Sequence, residues 1–130
     1  GFKTAVYEER KELLDSWSFP AETTIINGEF GRIDDYIDMN ENDYAVVMTS
    51  GHIADYTVLE QVLGKKLSYV GVIGRTKVAI TRQKLIAAGV DEKKIDELHT
   101  PIGLAIKAVT PAEIAISIAA ELILHRAENR

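Results

Sequence analysis

Two runs of this chain, Tyr44–Ser50 (YAVVMTS) and Leu67–Gly74 (LSYVGVIG), are nearly all apolar for the length of a strand and then break into small residues and a helix-patterned stretch. A strand that is apolar on both faces needs cover on both sides, the situation of a parallel sheet sandwiched between helices. The stretches that follow fit that plan. Ile53–Leu63 stacks Val58, Leu59 and Val62 before Gly64, and Lys77–Ala88 ends at Gly89. Upstream, Lys3–Glu9 and Thr23–Asn27 read as shorter strands. A helix over KELLDSWSF, closed by Pro20, separates them, and a weak helix over EFGRIDDYIDM carries Phe30, Ile33 and Ile37. Downstream, Val90–Leu98 reads as a short helix with Asp91 as N-cap, and a small last strand is expected near Leu104–Ala108. The final helix has the clearest start: Thr110 as cap, Pro111 at the first position and Glu113 completing a capping box. Glu113, Ser117, Glu121 and then His125 or Glu128 form its polar stripe, and the rest is apolar enough to predict burial on more than one side. Strands alternating with helices make this an α/β chain of the doubly wound, Rossmann-like kind, with a mostly parallel sheet and helices on both faces. Residues 1–130 read as a single domain.

Bulk composition narrows the function classes. At 130 residues, 46% hydrophobic and 27% charged, the chain can bury a core and is not a disordered segment. A formal charge of −5 disfavours a nucleic-acid backbone as a general partner, although a local basic loop can still hold a small anion. The absence of cysteine removes disulfides and thiolate chemistry and fits a cytoplasmic protein. No apolar run approaches the roughly 20 residues of a membrane span. The opening GFKTAVYEER has no initiator methionine and reads as the inside of a strand, so a longer parent protein is expected.

In a sheet of this kind ligands bind beyond the carboxyl ends of the strands, which directs attention to the residues just after each one. Glu8 closes the first strand, where an acid can accept hydrogen bonds from a ribose diol or simply open the next helix. Thr49-Ser50-Gly51-His52, with Asp55, follows the third. Gly51 permits close backbone approach at a helix start, and His52 is either a ligand clamp or a partner of Asp55. Gly71 and Gly74 bracket the end of the fourth strand. Arg75 and Lys77 come next, cations set against the helix dipole, where anion binding competes with a solvated basic turn. His99, Pro101 and Gly103 sit in a loop of fixed shape, with His99 facing either the cleft or a loop carbonyl. The three histidines lack metal-ligand spacing, so no metal site is expected, and no catalytic residues are assigned.

Taken in order, MTSGHIADYTVLEQVL, LSYVGVIGRTKVAITRQKL and LHTPIGLAIKAVTPAEIAISIAAELI resemble the C-terminal domain of the XdhC/CoxI family, the xanthine dehydrogenase accessory proteins. The resemblance runs from about Phe2 to about Arg126, and its matching positions are Glu8, His52, Asp55, Gly71, Gly74, Lys77, His99, Pro101, Gly103 and Thr110. It implies a Rossmann-like domain in a factor that binds molybdenum cofactor (molybdopterin) and delivers it, sulfurated, to a molybdenum hydroxylase of the xanthine dehydrogenase type. A cysteine desulfurase would be a further partner. The cofactor-binding set on that reading is Glu8, Thr49, Gly51, His52, Gly74, Arg75, Lys77, His99 and Gly103.

The chain also departs from the family pattern. The family domain opens with a strand and a glycine-rich GAGH-like turn ahead of the positions equivalent to Gly1-Phe2. That strand is expected between Lys3–Glu9 and Tyr44–Ser50, so upstream sequence, another chain or a rearranged sheet must fill its place. The loop from Gly74 to Lys77 is one residue shorter than the usual form, and Ala105 and Lys107 stand where the family often has Asp and Gly. These changes keep a dinucleotide such as NAD(P) open as the ligand. An NAD(P)-dependent oxidoreductase or an NAD(P)-binding regulatory domain is therefore the rival reading, since one fold hosts many chemistries. The wide apolar surface of the last helix predicts a homo-oligomer.

Overall fold

The computed structural model describes residues 1–73 and 78–129, which form two compact units, Gly1–Asp38 and Met39–Arg130. In the first, strand β1 (Ala5–Glu8) runs parallel to β2 (Thr24–Asn27), with Ala5 opposite Thr24 and Glu8 opposite Asn27. Helix α1 (Lys11–Ser16) connects them, and a 3-10 helix (Phe30–Asp35) follows. Helix α1 is shorter than its pattern predicts. Ser16 donates its hydroxyl back to Leu13 O, and Trp17 is already extended at φ −111°, ψ 146°. The weak helix after Asn27 contracts to 3-10 turns broken at Arg32 (φ −132°, ψ 42°), in a stretch where Gly31 and two aspartates are poor helix formers. Leu14 and Ile33 are buried, and Tyr7 packs edge-on against Tyr36. Gly28 makes room for that ring: a Cβ there would lie 2.5 Å from the Tyr7 hydroxyl.

The second unit holds β3 (Tyr44–Val47), α2 (His52–Val62), β4 (Tyr69–Val72), α3 (Val78–Ala87), α4 (Glu92–Asp96) and α5 (Pro111–Glu128). β3 and β4 are parallel, Tyr44 opposite Tyr69 and Val47 opposite Val72. Side chains alternate along a strand, so each strand serves two layers. Tyr44, Val46 and Tyr69 pack with Ile102 against Ile114, Ile118 and Leu122 of α5. Val72 turns the other way, toward Leu59 of α2, Leu85 of α3 and Ile95 of α4. Parallel strands with helices on both faces are the α/β, Rossmann-like arrangement that the apolar runs predict. The strands form two pairs, β1–β2 and β3–β4, and no ladder joins the pairs among the described residues.

Two expectations are corrected. No strand forms over Leu104–Ala108. Ser117 of α5 accepts the Leu104 amide on its carbonyl and donates its hydroxyl to Leu104 O, and Lys107 takes φ +59°, off any strand path. The residue that extends the β4 edge is His99, bridged to Gly71 through His99 N to Val70 O and Val72 N to His99 O, both 3.0 Å. The polar stripe of α5 is also inverted. Its capping box forms as read, but Ser117 is buried and Glu121 and His125 point at β4, whereas Ile116, Ile123 and Leu124 are exposed.

Candidate functional site

The end of β3 turns into α2 around a buried carboxylate. Asp55 Oδ1 accepts from the Thr49 amide at 3.1 Å and lies within reach of the Thr49 hydroxyl, which also approaches Gly51 O. Asp55 is therefore spoken for by Thr49, and it fixes the strand-to-helix turn. Gly51 occupies the N-cap in extended backbone (φ −162°, ψ 159°) with no side-chain capping bond, and the space beside its Cα is open. The first-turn amides of an α-helix have no partner within the helix, and the aligned peptide dipoles make that end attractive to anions. His52 and Asp55 line an adjacent cavity of about 30 Å3, floored by apolar side chains that include Val72 and Leu85, with Thr81 and Arg82 among its lining residues. Arg82 is ion-paired with Asp96 at 2.7 Å. Of the sequence-derived residues, Thr49, Gly51 and His52 are thus brought together at one strand end. Gly74, Arg75 and Lys77 lie outside the described residues.

His99 and Gly103 belong to the other face of β4. The Tyr69 ring is sandwiched between Tyr44 (centroids 5.7 Å apart) and His99 (4.3 Å), while His125 meets all three edge-on. Gly71 permits this, since a Cβ there would fall 2.7 Å from the Tyr69 hydroxyl and 2.6 Å from Ile102. Glu121 of α5 ties the cluster down, accepting from the Tyr69 hydroxyl (2.5 Å) and the Gly103 amide (2.9 Å), with His99 Nδ1 3.9 Å away. His125 Nε2 is 2.8 Å from Ser68 O. Burial, and then the bond to Glu121, pushes the Tyr69 phenol far above the usual tyrosine range. Gly103 has φ +102° and sits directly against the Ser117 side chain, so its role here is close approach to α5. His52 and His99 accordingly serve opposite faces of β4. Sequence reasoning points to the histidines and glycines but misses Tyr69 and Glu121, which organise them. The pairing of small Gly71 and Gly103 with a carboxylate on a helix stripe was the available signal.

Glu8 stands in the first unit, at the end of β1. Its carboxylate accepts from the Glu9 amide (2.7 Å), the Arg10 amide (3.3 Å) and the Arg10 guanidinium (3.0 Å). Burial would raise its pKa, but these hydrogen bonds outweigh burial and hold it below the ordinary glutamate value. The carboxylate thereby organises the start of α1, and Asn27 closes the same turn by donating to the carbonyls of Glu8 and Glu9.

Comparison with known proteins gives one consistent result. The family model described as XdhC Rossmann domain matches residues 1–122. The chain is 33% identical over 125 residues to the uncharacterized protein YqeB of Escherichia coli (strain K12), covering 95% of this chain and 23% of that protein. It is 29% identical over 126 residues to a probable xanthine dehydrogenase subunit from Bacillus subtilis (strain 168), covering 97% of this chain and 36% of the relative. A crystal structure of a xanthine dehydrogenase from Bacillus halodurans matches 100% of this chain and 37% of its own, at TM-score 0.83 and 30% identity. The chain therefore spans only about a quarter to a third of the curated relatives it matches.

Proposed function

The chain belongs to the XdhC Rossmann-domain family, and from that premise we propose that it is the cofactor-binding domain of an accessory protein for a molybdenum hydroxylase of the xanthine dehydrogenase type. Its task is to hold molybdenum cofactor by the anionic end and pass it on, with no bond chemistry of its own. The observation that carries this reading is the α2 start: an N-terminus with no side-chain cap behind an open Gly51, at the end of a parallel strand. Gly51 and His52 fit the phosphate-bearing part of such a molecule, and Arg75 and Lys77 follow the neighbouring strand in sequence. When bound, the cofactor supplies the molybdenum centre for the recipient enzyme. This chain's residues bind and orient it.

The test uses the open N-cap. Gly51→Asp places a carboxylate where nothing stands in its way and where Asp is a good helix cap. The variant should fold at least as stably as the parent while repelling an anion from the α2 start. Titrating full-length protein with molybdenum cofactor should show binding that Gly51→Asp weakens at least tenfold, and that Arg75→Ala also weakens. Unchanged affinity in Gly51→Asp would remove the helix start from the site. Binding of NAD(P)H alone, with a change at the nicotinamide absorbance on adding a small substrate, would favour the oxidoreductase instead.

A further inference from the structure

Thr49 claims only one of the two carboxylate oxygens of Asp55. The side chain is buried, at 9% exposure, and the bonds from the Thr49 amide and hydroxyl both fall on Oδ1. Among the described residues no donor reaches Oδ2, and that oxygen is not sealed from accessible space. The space it opens on is the cavity at the end of β4 that Asp55 lines with His52, Leu59, Val72, Leu85 and Ile95. A buried acceptor without a donor is costly, more so when it carries charge. We propose that this cavity receives the exocyclic amino group of a flat nitrogen heterocycle, with Asp55 Oδ2 accepting its N–H. The inference rests on the reading above, because it assigns the ring end of the ligand whose anionic end meets the α2 start.

The walls decide what kind of donor fits. Arg82 is a cation of the same lining, but its guanidinium is engaged by Asp96 and leaves Asp55 to an outside group. A divalent cation needs about six oxygen ligands or a cluster of His and carboxylates, and no such cluster occurs among the described residues. An alkylammonium brings three N–H donors to a wall made largely of aliphatic side chains. An amino group on an aromatic ring brings two, in the plane of a ring whose faces are apolar, which suits one acceptor set among leucine, valine and isoleucine. At about 30 Å3 the cavity exceeds what a single water needs, and an amino group is of that size. Pterins and adenine share this chemistry.

Matched probes test it. Carboxypterin and carboxylumazine share a ring system and an anionic group, and differ in carrying an amino or an oxo group on the pyrimidine ring. Full-length protein should bind the pterin about tenfold more tightly or better, by fluorescence titration. Asp55→Asn should bring the two within about threefold, because the Thr49 amide holds the asparagine oxygen and turns its NH2 group into the cavity. Gly51→Asp should weaken both probes alike and leave their ratio unchanged, so a failure at the α2 start and a failure at Asp55 read out separately. A preference for AMP over IMP, lost in Asp55→Asn, supports the same chemistry with a nucleobase as its source. Equal affinity within both pairs, or a preference that survives Asp55→Asn, overturns the proposal and leaves the α2 start to be judged by Gly51→Asp alone. Binding of none of the four probes overturns it as well. Should Asp55→Asn fail to fold, the amino protons of the bound probe decide in the parent: a downfield shift is expected by magnetic resonance, and an unmoved resonance overturns the proposal.

Discussion

Gly71, Gly103 and Lys107 each sit where the identity of one residue sets the local fit. Gly71→Ala would push a methyl group to within 2.6 Å of Ile102 and 2.7 Å of the Tyr69 hydroxyl, both in the packed face beneath α5. Overpacking of that kind costs about 1–3 kcal/mol, read as a lower urea midpoint at unchanged slope. Lys107 offers the opposite case. It holds φ +59°, a conformation that costs a side-chain-bearing residue about 1 kcal/mol. Lys107→Gly should therefore raise stability by up to about 1 kcal/mol, and a fall would mean that the lysine side chain makes a compensating contact. Tyr69 is the titrating residue to follow, because the folded protein binds its phenolic proton more tightly than the unfolded chain does. Its contribution is complete below the unfolded tyrosine value near 10 and is lost as pH climbs beyond it. Tyr69→Phe should lower stability at neutral pH by about 1–2 kcal/mol and make the decline above pH 10 shallower. The limb will not vanish, since burial also raises Tyr7. A decline as steep as the parent's would detach Tyr69 from it.

Among the elements, α5 is legible in the sequence in its start but not in its orientation. Its start is legible because a capping box is local chemistry: Thr110 accepts from the Glu113 amide at 3.2 Å, and Glu113 accepts from the amides of Thr110 and Val109 at 3.0 and 2.9 Å. Which side faces the sheet depends on partners far away in sequence. Glu121 points inward because Tyr69 and Gly103 offer it donors, and no periodicity within the helix records that. The same division holds elsewhere. β3 and β4 are legible from their apolar runs, and Asp91 as the α4 cap from its identity, its side chain accepting from Lys93 N. The strand expected near Leu104 is lost because its backbone bonds go to Ser117 instead. At the site, the turn through Thr49, Gly51 and His52 is readable from a strand breaking into small residues, whereas the clamp from Asp55 to Thr49 emerges only in three dimensions. The cap also makes a prediction. The backbone amides hold the Glu113 carboxyl below the ordinary glutamate value, so its stabilisation is present above that value and is lost as pH falls through the lowered one. Thermal melts of Glu113→Gln should show a flatter acid limb than the parent, and an unaltered limb would assign that loss to other carboxyls. Thr110→Ala should cost about 1 kcal/mol at neutral pH.

At the scale of the whole chain, the two units differ in how deeply they protect their strands, and that difference is measurable. In Tyr69–Val72 three of four residues are buried, whereas in Thr24–Asn27 three of four are exposed, Ile25 at 48%. The buried side chains of Gly1–Asp38 are few, Leu14 and Ile33, beside an exposed Trp17 at 71%. Met39–Arg130 buries Leu59, Val62, Tyr69 and Leu85 almost completely. Free energy of local opening follows the apolar area an element loses when it detaches, so the strands of the first unit should open at much lower cost. Hydrogen exchange of this chain should therefore show the amides of Thr24–Asn27 exchanging at least tenfold faster than those of Tyr69–Val72. Leu14→Ala should speed exchange in the first strand pair and leave the second unchanged. Uniform protection across both pairs would mean that β1 and β2 are buried by contacts beyond those in their own unit, and the low count of buried side chains there would no longer measure its stability.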